Sequence, residues 1–258
     1  MKFSIITPTY NSEKTVLDTV ESIARQNYSD LEYIVVDGTS TDNTMNLILS
    51  YKDKINLKYI SERDKGIYDA MNKGIKMATG DIIGILNSDD FYFDNNILSK
   101  INSLFETDSS IDAVYGDLVY VNNNNTKKQT RFWKAGEYNE NKLDNGWIIP
   151  HPTFFVKREV YEKSNKIFDT TFDLAADYEL LIRLLKIQKI KVKYIPEILV
   201  SMREGGASAS SLKQRIKGWK ELRQAWKINN LKVPIFFVFR RILNKVGQFL
   251  YRKNLYRP

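Results

Sequence analysis

The sequence contains no cysteine, so it forms no disulfide and offers no thiolate ligand to a metal ion. It also lacks an apolar run near the ~20 residues that a membrane-spanning helix needs. The longest such run towards the C-terminus covers only residues 233–239. Residues 1–8 are too short an apolar segment for a signal peptide, and no cleavage pattern follows them. We therefore expect a cytoplasmic protein.

Acidic residues are scarce in the last part of the chain. Residues 213–258 hold thirteen lysines and arginines against one acid, Glu221, and so carry a net charge of +12. Because the whole chain carries +8, residues 1–212 carry −4. This asymmetry indicates a polyanionic partner for the tail, either a membrane surface or a nucleic acid.

The first third of the chain alternates between two kinds of apolar pattern. The 258 residues, 43% of them hydrophobic, suffice for one large α/β domain or two small ones. Apolar runs predict strands at residues 2–7, 31–36, 57–60 and 82–86. Helical spacing of apolar residues predicts helices at 16–24, 41–51 and 67–78. Such alternation is typical of a doubly wound, mostly parallel sheet.

The pattern is weaker after residue 90. It predicts helices at 95–105, 157–163 and 174–188, and strands at 113–121 and 191–195. Asparagines 122–125 indicate a turn, with 129–134 as the returning strand. We expect loops at 136–152 and 205–211, followed by two C-terminal helices.

Two of the predicted strands end in acidic residues. Asp37 follows the strand at 31–36, and Asp89 and Asp90 follow the strand at 82–86. Open α/β sheets bind ligands at the carboxyl ends of their strands. Two adjacent aspartates at that edge suit a divalent cation that carries a phosphorylated ligand. The pattern therefore predicts an enzyme that handles a nucleoside diphosphate.

Five stretches of the chain together resemble family 2 glycosyltransferases with the GT-A fold, of the kind that builds bacterial surface polysaccharides. They are SIITPTYN at 4–11, VVDGTSTD at 35–42, GIYDAMNKG at 66–74, GDIIGILNSDD at 80–90 and ADYEL at 176–180. The resemblance implies a catalytic domain at 1–212, with a nucleotide-sugar-binding half at 1–110 and an acceptor-binding half at 111–212. Residues 213–258 then form a basic helical extension.

The resemblance also implies which residues bind the nucleotide. Tyr10 offers a ring face to the base, and Asp37 accepts a base N–H. The residues expected to bind the nucleotide are Thr7, Pro8, Tyr10, Asp37, Asp69, Asn72, Ser88 and Asp89. For Thr7–Tyr10 the alternative is an ordinary β–α turn. For residues 62–73 the alternative is solvated surface charge.

Asp89 and Asp90 resemble the metal-binding motif of the family, with Mn²⁺ or Mg²⁺ as the cofactor. Asn87 stands where an aspartate often begins the motif, which favours Asp89 as the direct ligand and Asp90 as its support. The alternative is an acidic helix cap. His151, the only histidine, is a further candidate ligand of the metal or diphosphate, or a histidine held by its own loop.

Asp177 is the candidate catalytic base, because relatives carry an acidic residue here that deprotonates the acceptor hydroxyl. An aspartate at a helix start also stabilises the helix dipole, which is the structural alternative. In the tail, Ile235, Phe239, Ile242, Val246 and Phe249 follow helical spacing and basic residues flank them. This is typical of a helix in a membrane interface, so we expect residues 233–258 to bind an anionic membrane at the inner face of the plasma membrane. Packing on the protein or on a second subunit is the alternative.

The predicted function is an inverting transfer of a sugar from a nucleotide-sugar donor, with UDP favoured, to a glycan or lipid-linked acceptor. A processive polysaccharide synthase is one rival, disfavoured because the Gln-x-x-Arg-Trp motif and spanning helices are missing. A second rival is a non-catalytic nucleotide-binding or nucleic-acid-binding module. We expect no nucleic-acid partner. A dinucleotide oxidoreductase is disfavoured, because no G-x-G-x-x-G follows the first strand. The sequence does not indicate an oligomeric state.

Overall fold

The structure is a computed structural model that describes residues 1–205, 212–237, 239–241 and 243. In this part of the chain one sheet contains nine strands: β1 Phe3–Thr9, β2 Leu31–Asp37, β3 Asn56–Ser61, β4 Ile82–Ile85, β5 Phe91–Tyr92, β6 Ala113–Asn122, β7 Asn125–Trp133, β8 Phe155–Lys157 and β9 Val192–Arg203. The α-helices are α1 Val16–Ala24, α2 Thr44–Leu49, α3 Ile67–Met77, α4 Ile97–Thr107, α5 Glu140–Asp144, α6 Arg158–Glu162, α7 Ala176–Ile182 and α8 Leu212–Ile228.

The strands lie in the order β3-β2-β1-β4-β8-β6-β9-β5, with β7 paired to the outer part of β6. The first four strands are mutually parallel, which confirms the predicted doubly wound, mostly parallel arrangement. Strand β8 is antiparallel to both β4 and β6, and β9 is parallel to β6. Therefore β1–β4, β6 and β9 all run in one direction. We call their shared end, residues 9–12, 37–41, 61–66, 86–90 and 203, the carboxyl edge.

Helices cover both faces of the parallel half of the sheet. Every residue of β1 is buried, as expected for a strand with helices on both sides. On one face α1 packs Val16, Val20 and Ile23 against the sheet, and on the other α3 packs Ala70, Met71 and Ile75. A Cβ at Gly74 would overlap Ile6, so this glycine allows α3 to lie close to β1.

The regions after residue 90 differ from the prediction in several places. The predicted loop at 136–152 contains α5 and a 3₁₀ turn, His151–Thr153. Strands β5 and β8 were not predicted, since they have two and three residues. The predicted helix at 174–188 begins at Ala176 and passes into a π-helical turn at Arg183–Ile187.

Strand β9 is much longer than the predicted strand at 191–195, because it continues to Arg203. The sequence suggests a strand end at residue 195, because Pro196 has no N–H to donate to a neighbouring strand. The register with β6 shifts between Gly116 and Asp117, which pair with Ile195 and Ile198. Pro196 and Glu197 therefore lie in a bulge that accommodates the proline.

The C-terminal helix α8 packs against α7. Trp226 Nε1 donates a hydrogen bond to Tyr178 Oη at 2.9 Å, and Phe237 lies against both rings. Within the described residues, no helix is both long and apolar enough to cross a membrane. Most of the predicted loop at 205–211, and Ile242, Val246 and Phe249 of the predicted apolar stripe, lie outside the described residues.

Candidate functional site

The two loops that follow β1 and β2 hold each other in a strained conformation. Asn11 and Thr39 have φ angles of 48° and 67°, in the left-handed region that non-glycine residues seldom adopt. Thr41 N donates to Asn11 Oδ1 at 2.9 Å, and Asn11 N donates to Ser40 Oγ at 2.8 Å. These bonds fix the shape of the carboxyl edge before any ligand binds.

Asp37 ends β2 with its carboxylate buried at this edge. It accepts hydrogen bonds from the backbone N–H of Ser40 at 3.0 Å and from the hydroxyls of Ser40 and Ser61, each at 2.5 Å. These donors fix the orientation of the carboxylate. The role of Asp37 as the acceptor of a base N–H stays a prediction.

Tyr10 is the exposed member of the predicted base-binding turn, with 62% of its surface accessible. A Cβ at Gly38 would lie 3.4 Å from the Tyr10 ring and 2.8 Å from Asp64 Oδ2, so both side chains approach the Gly38 backbone closely. Thr7 and Pro8 are instead buried in β1, and Thr7 Oγ1 donates to Leu86 O at 2.8 Å. A ligand at this turn therefore meets the Tyr10 ring, whereas Thr7 joins β1 to the end of β4.

The turn that follows β4 is fixed by hydroxyl groups of α1 and of the loop between β1 and α1. Ser88 Oγ is hydrogen-bonded to Ser12 Oγ at 2.8 Å, and Thr15 Oγ1 donates to Ser88 O at 2.9 Å. Thr19 Oγ1 donates to Asp90 O at 2.7 Å. The sequence predicts a nucleotide contact for Ser88, and the structure shows that its hydroxyl also joins two loops of the site.

Arg203 is a residue of this site that sequence reasoning missed. Its guanidinium donates to Asp89 O at 2.6 Å and to the carboxylate of Asp18, and its backbone N–H donates to Asp90 Oδ1 at 3.3 Å. Arg203 ends β9, so its only sequence signal is a charged residue after an apolar strand. It therefore joins the Asp89–Asp90 turn to α1.

Asp89 and Asp90 have different surroundings. Asp90 is fully buried and accepts from Asn87 Nδ2 at 3.1 Å, whereas Asp89 is only partly buried. Burial raises the pKa of Asp89, and burial together with the charge of Asp89 raises the pKa of Asp90 well above its usual range. Asp89 is therefore the carboxylate that can reach a ligand, and Asp90 supports the turn.

The oxygen atoms at this turn fit a hard divalent cation. Among the described residues, no other residue donates a hydrogen bond to the Asp89 carboxylate, and Asn87 Oδ1 is buried without a partner. No cluster of three or more His, Cys, Asp or Glu residues occurs in the described part of the chain. Such a site suits Mg²⁺ or Mn²⁺ that takes its remaining ligands from phosphates and water.

Asp177 lies in the first turn of α7 and reaches the same edge. Tyr68 Oη donates to Asp177 Oδ1 at 3.2 Å, and Tyr178 N donates to it at 2.8 Å. Because Tyr68 lies in the first turn of α3, directly after the carboxyl end of β3, Asp177 also lies at the carboxyl edge. Burial and the charge of Asp177 raise the pKa of Tyr68 well above its ordinary value, so the phenol remains a donor.

Aromatic rings surround this second carboxylate. The Tyr68 and Phe168 rings stack at 5.6 Å between centroids, and the His151 ring meets Phe168 edge-on at 5.6 Å. Burial lowers the pKa of His151, and the nearby charge of Asp177 opposes that shift. The structure therefore brings His151, a candidate metal ligand, close to Asp177.

Asp69 and Asn72, two further candidates for nucleotide binding, both make structural contacts. The Asn72 amide accepts from Phe168 N and donates to Phe168 O, each at 2.9 Å. Asp69 Oδ2 accepts from Lys65 N at 3.0 Å and lies 3.7 Å from Lys73 Nζ. These contacts hold the Phe168 loop and the loop before α3, and the nucleotide roles of both residues stay predictions.

Similar sequences share most of the chain. The chain is 29% identical over 225 residues to the Escherichia coli UDP-Glc:alpha-D-GlcNAc-diphosphoundecaprenol beta-1,3-glucosyltransferase WfgD, with 87% of this chain and 84% of that protein covered. It is 28% identical over 212 residues to a PGL/p-HBAD biosynthesis glycosyltransferase of Mycobacterium tuberculosis, with 81% and 80% covered.

Similar structures share the fold. The TarS 1–349 structure of S. aureus in complex with UDP-GlcNAc matches 97% of this chain and 72% of that chain, with a TM-score of 0.69 and 20% identity. The chain spans only 44% of a longer TarS structure. The mannosyltransferase PcManGT of Pyrobaculum calidifontis with GDP-Man and Mn²⁺ has a TM-score of 0.64 and 20% identity, with 94% and 69% covered. A family model described as glycosyl transferase family 2 matches residues 4–164, and the chain therefore belongs to that family.

Proposed function

We propose that this glycosyltransferase moves a sugar, with inversion, from a nucleotide-sugar donor to a hydroxyl of a glycan or lipid-linked acceptor in surface-polysaccharide biosynthesis. The observation that carries the proposal is that two carboxylates, Asp89 and Asp177, both lie at the carboxyl edge of the sheet. Asp89 follows β4, and Asp177 begins α7 and is held by Tyr68. UDP is the favoured nucleotide, since the names of WfgD and of the TarS complex both include a UDP-sugar.

The donor binds at the ends of β1, β2 and β4. The Tyr10 ring stacks on the base, and Asp37 accepts its N–H. Asp89, with Asn87 Oδ1 beside it, holds Mn²⁺ or Mg²⁺, and Asp90 supports their turn from its buried position. The cation, when bound, neutralises charge on the departing diphosphate. His151 is a second candidate ligand for the diphosphate or the metal.

The acceptor binds beside Asp177. The Asp177 carboxylate takes the proton of the attacking hydroxyl, whose oxygen forms a bond to the anomeric carbon. The bond from that carbon to the diphosphate oxygen breaks on the opposite face, so a single displacement inverts the centre. Tyr68 donates to Asp177 Oδ1 and so orients the carboxylate.

The described part of the tail supports attachment to a membrane. Ile235, Phe236, Phe239 and Leu243 expose 76%, 70%, 60% and 52% of their surface, and the basic Arg240 lies between them. Apolar groups combined with a high positive charge suit the interface of an anionic bilayer. We infer a cytoplasmic protein that lies at the inner face of the plasma membrane, where a lipid-linked acceptor is accessible.

The test is a transfer assay with purified full-length chain, Mn²⁺, a panel of UDP-, GDP- and dTDP-sugars and sugar acceptors on a diphosphate lipid. We expect one donor to yield a glycosylated acceptor and free nucleoside diphosphate, with loss of transfer in EDTA. Nucleotide binding in a thermal-shift assay without turnover of any donor would instead support a non-catalytic module. Full transfer in excess chelator would refute the role of the metal.

A further inference from the structure

The tail of the chain returns to the active site through Arg241. Phe237 anchors this segment, because its ring lies 5.7 Å from the Tyr178 ring and 6.0 Å from the Trp226 ring. Four residues later, the Arg241 guanidinium lies over the same Tyr178 ring, with 5.5 Å from Cζ to the ring centroid. Tyr178 follows Asp177 in the first turn of α7, so Arg241 lies over the residue next to the candidate base.

The position of Arg241 is set by its backbone as well as by its side chain. A Cβ at Gly146 would lie 2.8 Å from Arg241 N and 2.9 Å from Arg241 Cα. Gly146 also has a φ of +76°, which few other residues tolerate. Arg240, the preceding residue, donates from Nη1 to Asn145 Oδ1 at 2.6 Å. The loop at 145–146 therefore holds the tail backbone where Arg241 turns towards α7.

The guanidinium of Arg241 is partly buried, and the structure gives it no anionic partner among the described residues. Within that part of the chain no carboxylate lies within 4.0 Å of it and no acceptor takes its hydrogen bonds. Burial lowers its pKa, whereas Tyr178, Asp177 and Tyr120 oppose the shift, and an arginine stays charged in proteins in any case. Arg183 and Arg203, by contrast, form ion pairs with Glu179 and Asp18.

A partly buried cation that has no anion among the described residues is costly, so this position suits an anionic ligand. The guanidinium fork matches the oxygens of a phosphate group and binds them in pairs. We propose that Arg241 is a phosphate-binding residue of the active site that contacts a diphosphate group of a substrate. The proposal rests on the proposed function, which supplies two sources of this group: the nucleotide donor and the diphosphate of a lipid-linked acceptor.

The test compares Arg241→Gln and Arg241→Lys with Arg223→Gln, an exposed position of α8, in the full chain, all with Mn²⁺ present. Binding of UDP, and of inorganic pyrophosphate with the UDP site saturated, is measured by calorimetry. We expect Arg241→Gln to weaken binding of at least one of them by about 10–100-fold, the value of a charged hydrogen bond. Arg241→Lys retains the charge without the fork and should lose less, and Arg223→Gln should bind both as the wild type does.

The two binding measurements distinguish the sources. Weaker binding of UDP assigns Arg241 to the donor phosphates. Weaker binding of pyrophosphate alone assigns it to the acceptor, with a matching rise in KM for a diphosphate-linked acceptor but not for the same sugar on a neutral alkyl chain. A purely structural role would lower the melting temperature without this selectivity.

The proposal is overturned if Arg241→Gln and Arg241→Lys bind both probes like the wild type, or if Arg241→Gln fails to fold and Arg241→Lys binds both unchanged. Binding of pyrophosphate that depends on Arg241 in a chain that transfers no sugar would leave the phosphate site standing and refute only the transferase proposal.

Discussion

The two carboxylates of the site are held by different means. Around Asp89, short polar loops are joined by hydrogen bonds, as between Ser12 and Ser88 and between Thr19 and Asp90. Around Asp177, rings from separate segments pack together, and among the described residues the Tyr68 hydroxyl donates to the carboxylate from outside its own helix turn. Hydrogen bonds between polar loops thus fix the proposed donor side around Asp89, whereas packing of aromatic rings fixes the proposed acceptor side around Asp177, and both sets of contacts join segments distant in the chain.

This difference indicates a division of tasks. A rigid polar edge suits a donor whose nucleotide part is constant, because fixed donors and acceptors lower the cost of binding. A pocket built from rings and from the C-terminal segment can change with the acceptor while the sheet stays the same. We therefore expect substitutions on the donor side to alter binding and substitutions on the acceptor side to alter turnover.

Asp177→Asn should have the largest effect. The amide keeps the size of the side chain but cannot take a proton, so kcat should fall by about 10²–10⁴. The affinity for UDP should stay within about twofold, because Asp177 lies on the acceptor side. Single-turnover kinetics and calorimetry measure the two quantities. Asp173→Asn, which removes an exposed partner of Lys217, is the matched control. Near-normal turnover of the Asp177 variant would remove the base from this position.

Glu32→Gln tests how far the polar construction of the donor half stabilises the fold. The buried Glu32 carboxylate accepts from Ser4, Thr79 and Lys58, and Lys2 lies 3.0 Å away. Loss of this charge should lower the free energy of unfolding by about 3 kcal/mol, as is usual for a broken buried ion pair. Denaturant titration measures the change. Glu159→Gln, which breaks an exposed pair with Lys163, should leave stability unchanged.

The same carboxylate predicts a pH dependence of stability. Although burial alone would raise it, the hydrogen bonds from Lys58, Ser4, Thr79 and Lys2 hold the pKa of Glu32 far below its ordinary value of 4.5. A group with a lowered native pKa contributes its stability above the unfolded pKa and loses it as the pH falls. Wild type should therefore lose stability below about pH 4.5 more steeply than Glu32→Gln. Parallel curves would show that Glu32 does not carry this effect.

Asp89→Ala should weaken UDP binding by roughly 10–100-fold in Mn²⁺ and far less in EDTA, because the residue acts through the cation. Calorimetry with and without metal measures this. Equal losses under both conditions would mean that Asp89 contacts the nucleotide directly. Asp94→Ala, whose carboxylate lies beyond the turn and pairs with Lys100, is the control.

The smallest effect is expected on the membrane side of the tail. Replacing Phe236 and Phe239 by serine should lower binding to anionic vesicles by about tenfold at low salt, since each exposed ring inserts only in part. Binding of the wild type should fall further as salt shortens the Debye length from about 10 Å at 0.1 M to about 3 Å at 1 M. Ile187→Ser, on the π-helical turn, removes a similarly exposed apolar group and should not alter sedimentation with vesicles. Unchanged binding of the double variant would favour packing or dimerisation.

The donor side could be predicted from the sequence because its signals are local. A buried strand, a turn and an aspartate lie within a few residues of one another at Asp37 and at Asp89. The acceptor side requires contacts between Tyr68, His151, Phe168 and Asp177, and no periodic pattern encodes such separations. Asp177 itself was found through the resemblance to a family and not through spacing. Arg203 and Arg241 were missed, because a single charged residue in a basic chain gives no signal until the fold places it.

The described residues between 235 and 243 lie partly in solvent and partly against the body of the protein. Phe236 and Phe239 point outwards, whereas Phe237 and Arg241 contact the body of the protein beside Asp177. One short piece of chain thus belongs both to the proposed membrane surface and to the proposed phosphate site. Thermodynamic linkage then requires reciprocity. If binding to a bilayer orders this segment and raises the affinity for substrate by some factor, bound substrate raises the affinity for the bilayer by the same factor. Under the proposed function, transfer would then be fastest at a membrane that carries the lipid-linked acceptor.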